Sequence, residues 1–378
     1  MKKTISSNQA GLIFCIFAIS LKLSALPSLM FTYSGNDSYI TCLIALIFDF
    51  IGTIVIIGVM HKFPDKTLGD LIKETLGKVI EKIIQAILFV YFMSKCVLIL
   101  QELHDYFIAT LFEELNPIYF LIVLGLLIIY ATTKNFRSIG RVIELIFWPT
   151  FIGILFTLVF PIEDIQIEKL LPVFEQGFVP IFRGLSRTTF AFGDYMILLP
   201  LLGNTVVNKK SKKKIILYVL GAFNFIFSFY IIFVGSFGKF SMSQTLALGE
   251  LPLHNTTPAT IGKLEWLTII IWTVILLTSS LILAIASRHI FDNLFNISDN
   301  NWSHFVVSII IVLVVALTYM QLETIIHFAV TPIFAGLAGG IQILFVTTVS
   351  ISAIILKKRQ TPQAPTPPNT ISLEKKKC

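Results

Sequence analysis

Five ionisable side chains lie within or at the edge of long apolar runs: Lys22, Asp49, Lys95, Glu144 and Asp194. A charge at the centre of a bilayer costs about 2.5–3.5 kcal/mol on insertion scales, so such a group usually faces a protein interior and a partner. Lys22 lies in ISLKLSALPSLM, residues 19–30. Asp49, Asp194 and Glu144 are carboxylates at depths that suit it, and Lys95 needs a partner as well. The pairing is not readable from order along the chain. A pair of this kind either fixes helix packing, sets a cationic group in place of a coupling sodium ion, or works as a proton relay.

Two interruptions accompany these charges. Pro27 stands in the first apolar run, and Gly193-Asp194 stands between Pro180 and Pro200 in VPIFRGLSRTTFAFGDYMILLP. Proline inside a helix costs about 3 kcal/mol, and in lipid the freed carbonyls near Leu23 need partners or a water-filled cavity. A break there predicts an amide-rich half-helix start near Ser28, which attracts a carboxylate. It also predicts a carbonyl-rich end near Ala25, which attracts an ammonium or a cation. Side by side, these ends suit a zwitterion such as a free amino acid. The plainer alternative is a kink satisfied by Ser24 or a neighbouring helix. Tyr91, Phe190 and Phe192 fall near mid-span beside the breaks and are candidate pocket residues. Thr278, in WTVILLTSS, offers a hydroxyl at similar depth, although a threonine there can equally bond its own backbone.

The elements that position these residues follow from composition. The 378 residues are 55% hydrophobic and 13% charged, with mean hydropathy +0.84. That is too little charge to cover a soluble surface. Apolar stretches near the roughly 17–25 residues that cross hydrocarbon as helices recur throughout. They predict ten spans: Ala10–Phe31, Tyr39–Met60, Val79–Phe112, Pro117–Thr133, Val142–Phe160, Val179–Leu202, Ile215–Phe237, Leu264–Ser287, His304–Tyr319 and Phe328–Leu356. Long unbroken runs argue against a β-barrel, whose strands alternate. Lys2 and Lys3 before an apolar run could begin a signal peptide, but apolar character continues to Phe31 and no secreted-type domain follows.

The net charge of +7 is a topology signal. With the N-terminus in the cytoplasm, twenty-two of the 29 lysines and arginines fall on cytoplasmic segments, and only Lys169, Lys239 and Lys263 on outward loops. The positive-inside rule demands such asymmetry, and it places both termini in the cytoplasm. Cys15, Cys42, Cys96 and Cys378 make no C-x-x-C or metal spacing, and His61, His104, His254 and His289 form no metal set. No phosphate loop, H-E-x-x-H or G-x-S-x-G is present, so neither an enzyme nor a cofactor is expected. The tail Lys357–Cys378 is basic and Pro-rich and predicts a disordered end near anionic headgroups. Five and five spans divide the chain into residues 1–160 and 161–356, with the second half inverted. The first span of each half carries an interruption, the arrangement of secondary transporters.

The chain resembles the B subunit of GerA-type spore germinant receptors, a branch of the amino acid/polyamine/organocation transporter superfamily. The resemblance is carried by ALPSLM followed by GNDSYI, by KFPDKTLGDLIKETLGKVIEKI, by LQELHDYF, by NFRSIGRVIELIF and by EKLLPVFEQGFVPIFRG. It implies an all-α membrane fold of the LeuT type, in the spore inner membrane. It also implies assembly with an A-type membrane subunit and a C-type lipoprotein, and recognition of a small germinant, often an amino acid. By position the pocket would use Ser24, Ala25, Leu26 and Pro27 with Phe190, Phe192 and Gly193, joined by Tyr91 and Thr278. The first span lacks the superfamily's glycine-rich break and carries Lys22 instead, which sets sodium coupling in question. An amino-acid permease and a structural subunit with a vestigial pocket are the competing functions.

Overall fold

The computed structural model describes residues 5–111, 117–159, 161–162, 165–175, 177–251, 258–297, 302–319 and 331–360. The tail from residue 361 onward, His254 and the start of the expected tenth span lie outside them. The described residues are helical, without a strand; one isolated bridge joins Ile5 to Thr205.

The first apolar run forms two helices, α1 (Ser7–Ser20) and α2 (Ala25–Ser34). Ser6 starts α1 with a capping box, its hydroxyl accepting from the Gln9 amide while the Gln9 side chain accepts from the Ser6 amide. Every residue of α1 from Gln9 to Ser20 is buried, as expected of a helix apolar on all faces and enclosed by others. After α3 (Ser38–Lys62) the short amphipathic α4 (Leu68–Leu76) opens on a Thr67–Asp70 capping box. The long α5 (Lys78–Thr110), α6 (Pro117–Thr132) and α7 (Phe136–Val159) follow. Next come the single turn α8 (Ile167–Leu170) and α9 (Val179–Thr188), which breaks into the 3-10 segments Thr189–Ala191 and Asp194–Leu201. The remaining elements are α10 (Lys209–Phe237), the short α11 (Ala247–Glu250), α12 (Pro258–Phe295), α13 (Ser303–Tyr319) and α14 (Pro332–Gln360).

Among the described residues, six helical stretches are long and apolar enough to cross a bilayer: Ala25–Lys62, Lys78–Thr110, Phe136–Phe156, Lys209–Ser243, Trp266–Phe295 and Pro332–Arg359. Three shorter apolar helices accompany them, Ser7–Ser20, Ile118–Thr132 and Ser303–Leu317. Boundaries differ from expectation where polar residues extend a helix beyond its apolar core. The helix expected from Val142 begins at Phe136, and the one expected over Leu264–Ser287 runs on to Phe295.

α1 packs against α10, α7 and α12; α5 runs along α12; and the half-helices α2 and α9 pack on each other. Ile47, Phe48 and Ile51 on α3, Ile122 and Leu126 on α6, and Leu145 and Ile152 on α7 point outward as an apolar coat. The α2–α9 crossing depends on Gly184, where an added Cβ would lie 1.9 Å from Ser34 Oγ and 3.0 Å from Thr41 Cγ2. Overpacking of this kind costs about 1–3 kcal/mol. Gly184→Ala is expected to lower the melting temperature of the purified protein, and adding Ser34→Ala to recover part of the loss. Equal melting of Gly184→Ala and wild type would show that the helices do not meet here.

Candidate functional site

The second interruption builds the site. Phe192 is extended and Gly193 is left-handed, with φ +81° and ψ 33°, a conformation that glycine adopts without the cost of a Cβ. The break exposes the carbonyls of Ala191 and Phe192 and the amides of Gly193 and Asp194, in a region where each orphaned group costs free energy. Side chains from four helices or helix ends meet those groups.

Lys22, in the turn between α1 and α2, is fully buried. Its Nζ pairs with Asp194 Oδ2 at 2.5 Å and donates to Ala191 O at 3.2 Å and Ala18 O at 3.3 Å. The same ammonium lies 4.9 Å from the centre of the Phe192 ring. Asp49, buried on α3, accepts from the amides of Gly193 at 2.7 Å and Asp194 at 3.4 Å. Lys95, buried on α5, donates to Phe192 O at 2.6 Å, with the Phe17 and Tyr91 rings 5.3 and 5.4 Å away. The hydroxyl of Tyr91 donates to the same carbonyl at 3.2 Å. Two lysines and two aspartates thus balance in charge around one break, so each buried ion has a countercharge or a dipole to offset its desolvation.

Gln342 on α14 is the hub that no sequence pattern pointed to. Its Nε2 reaches Phe192 O at 2.9 Å, Thr189 O at 3.0 Å and Tyr91 Oη at 3.2 Å, while Tyr195 donates to its backbone carbonyl at 2.9 Å. Asp49, Thr189, Phe192, Tyr195 and Gln342 also line a cavity of about 360 Å³ between α3, α9 and α14. Beyond those polar groups its wall is mostly apolar, including the outward Phe48 and Ile51.

The first interruption lies earlier than Pro27 suggests. α1 ends at Ser20 and α2 starts at Ala25, so the half-helix begins there and not near Ser28. Pro27 stands in the first turn of α2, where its missing N–H would have had no partner in the helix, so the proline costs little. The carbonyl-rich stretch lies before Ala25. Leu23 O accepts from the Leu248 amide at 3.0 Å and Ser24 O from the Ala247 amide at 3.3 Å, because α11 dips into the protein from the α10–α12 connection. Glu102 on α5 lies against the Ser24 hydroxyl and the Ala25 amide. Leu26 and Pro27 are buried with Ser24, whereas Ala25 keeps exposed surface.

The other expected residues divide. Tyr91, Phe192, Gly193, Lys22, Asp49, Lys95 and Asp194 converge on the second break. Phe190 is half-buried against the core. Thr278 is buried on α12, and among the described residues none of the hydrogen bonds around the break involves it. Glu144 does not belong to the central charges. It is half-buried on α7 and accepts from Asn8 Nδ2 and Gln9 Nε2, both at 3.0 Å, tying α7 to the start of α1. Depth alone suggested it; the rotation of α7 turns it elsewhere. Cys15, Cys42 and Cys96 are free and buried.

A family model described as "Spore germination protein", the spore permease family, matches residues 4–325. The chain belongs to this family. The spore germination protein YndE of Bacillus subtilis (strain 168) is 25% identical over 233 residues, covering 60% of this chain and 62% of YndE. Among solved structures, a substrate-bound, outward-open Na+-coupled sialic acid symporter matches with TM-score 0.63 and 11% identity, over 92% of this chain and 79% of its own. An Eremococcus coleocola manganese transporter matches with TM-score 0.55 and 13% identity, over 94% and 88%. At such identities the likeness is one of fold: the spore permease is an all-helical membrane protein with the chain path of LeuT-type transporters. With its apolar helices, it crosses the membrane several times.

Proposed function

We propose that this spore permease is the germinant-binding membrane subunit of a germinant receptor, sensing an amino-acid-like molecule through a transporter-like pocket. The observation that carries the reading is the meeting of two interrupted helices across one buried ion pair, Lys22–Asp194. A ligand that binds one arrangement of such a joint better than another shifts the population toward it. In this reading ten spans form two inverted halves, residues 1–160 and 161–356, with Ser24, Ala25, Leu26, Pro27, Tyr91, Phe190, Phe192, Gly193 and Thr278 around the pocket. Both termini face the cytoplasm from the spore inner membrane, and an A-type membrane subunit and a C-type lipoprotein receive the change.

Coupling to a sodium ion is disfavoured by what fills the break. Ala18 O, Ala191 O and Asp194 Oδ2 form an oxygen set that would suit a monovalent cation, and the tethered ammonium of Lys22 occupies it. A cation that cannot leave cannot be carried across. The test compares uptake of labelled amino acid by membranes containing this protein alone with germination of spores lacking it. Absent uptake together with a germination defect restored by the wild-type gene is the expected result. Robust uptake without a germination defect would make the protein a permease. Leu26→Trp, which adds bulk beside the break, is expected to abolish the germinant response while the protein still accumulates; an unaltered response would favour a vestigial pocket.

A further inference from the structure

A second cavity, of about 340 Å³, lies where the α6–α7 connection meets α12 and the turn that follows Leu201. Ile5, whose amide donates to Asn204 O at 2.8 Å, brings the start of the chain to the same place. The volume is many times the roughly 30 Å³ that one water molecule takes in the liquid. Unlike the cavity at the break, this one has a wall that is chiefly polar.

Lys134, Arg137 and Arg288 border the hollow, against one carboxylate, Asp292. Asp292 serves Arg288, whose Nε lies 3.3 Å from its Oδ2, while Nη1 of the same guanidinium donates to Thr132 O. Lys134 Nζ lies 4.3 Å from the centre of the Tyr130 ring, and Arg137 is exposed. Among the described residues neither Lys134 nor Arg137 has a carboxylate partner. The hollow therefore carries two cations in excess. Asn135, Asn204 and His289 add hydrogen-bonding groups, and the first turn of α7 adds amides with no acceptor inside the helix. Cations gathered round one hollow repel each other, and an anion placed between them turns that repulsion into attraction.

We propose that this cavity binds a phosphate group, with Arg137 and Arg288 as forked donors and Lys134 as a point charge, and that an anionic phospholipid headgroup supplies it. A guanidinium meets two phosphate oxygens at once, which adds geometric selectivity to charge. The lipid source follows from the flanking helices. Their outer faces are apolar, with Leu126 and Tyr130 exposed on α6 and Leu145 and Trp148 on α7. The cavity thus lies at the edge of an apolar coat, the level at which headgroup phosphates and tyrosine rings collect. The site is independent of the germinant-binding reading.

The experiment measures the melting temperature of the purified full chain in detergent as phosphatidylglycerol, phosphatidylcholine, glycerol 3-phosphate or inorganic phosphate is added. Phosphatidylglycerol is expected to stabilise and phosphatidylcholine to do little. Lys134→Gln/Arg137→Gln is expected to weaken the phosphatidylglycerol effect at least tenfold, with the lipid-free melting temperature little changed. Lys209→Gln/Lys210→Gln removes two exposed lysines that do not line the cavity, and should stay within twofold of wild type. Equal stabilisation by glycerol 3-phosphate or inorganic phosphate, lost in the cavity variant, would keep the phosphate site and overturn its lipid source. An effect of phosphatidylglycerol no weaker in the cavity variant than in the Lys209/Lys210 control would overturn the site, as would no stabilisation by any of the phosphates. Should the cavity double variant fail to fold, Asn204→Asp sets a carboxylate in the same hollow and is expected to weaken binding at least tenfold. Binding within twofold of wild type in that variant would equally overturn the site.

Discussion

Lys22→Met is expected to destabilise the purified protein by about 3–5 kcal/mol, the usual cost of removing one partner from a buried ion pair. The methionine keeps most of the length of the side chain but gives up the ammonium that pairs with Asp194 at 2.5 Å and serves Ala191 O and Ala18 O. Asp194 then remains buried beside Asp49, which holds the amides of Gly193 and Asp194, and among the described residues Lys95 is left to offset two carboxylates. For a loss of that size in a chain of this length the apparent melting temperature should fall by roughly 5 °C. The double variant Lys22→Met/Asp194→Asn removes both charges and is expected to melt well above the single variant, because an uncompensated buried charge costs more than an absent pair. A double-mutant cycle isolates the coupling. Additive effects would mean that the two side chains do not form the pair that joins the two interruptions.

How much of this could be read from residues alone depends on how each one signals its surroundings. Lys22 and Asp194 announced themselves because a charge among apolar residues has a cost that only burial with a partner relieves. Their convergence with Asp49 and Lys95 on one break follows from that cost, although the partner of each depends on helix rotation. Glu144 shows the limit: it has a plausible depth but points toward Asn8 and Gln9. Pro27 misled in register, since a proline marks a break only in a helix interior and is tolerated in a first turn, where it lies here. Gln342 carries no charge and stands alone in GGIQILF, so nothing in its sequence context separates a hub from an incidental amide. Glu102 stands in LQELHDYF, seven residues beyond Lys95 and closer to the end of its span, where a carboxylate reads as interfacial. The dip of α11 against Leu23 and Ser24 is joined through backbone amides, which leave no mark in side-chain pattern.

Gly193→Ala should have the second largest effect, for two separable reasons. The backbone at φ +81° lies in the left-handed region, which costs an L-residue with a Cβ about 1–2 kcal/mol. The new methyl would also lie 2.6 Å from Gln342 Cδ and 2.7 Å from its Nε2, so the amide must leave. Leaving breaks its bonds to Thr189 O, Phe192 O and Tyr91 Oη together. Phe192 O keeps Lys95 and Tyr91, and Thr189 O keeps the Phe192 amide at 3.1 Å, so each bond lost with the Gln342 amide costs about 0.5–1.5 kcal/mol. Thermal unfolding should therefore rank Gly193→Ala as several kcal/mol destabilised and Gln342→Ala as less affected. In the double variant the collision is gone and the same bonds cannot be lost twice, so its loss should be smaller than the sum of the singles. Full additivity would place the damage in the strained backbone alone and remove Gln342 from the support of the break. Recovery to the level of Gln342→Ala would instead make the collision the whole effect and the left-handed turn dispensable.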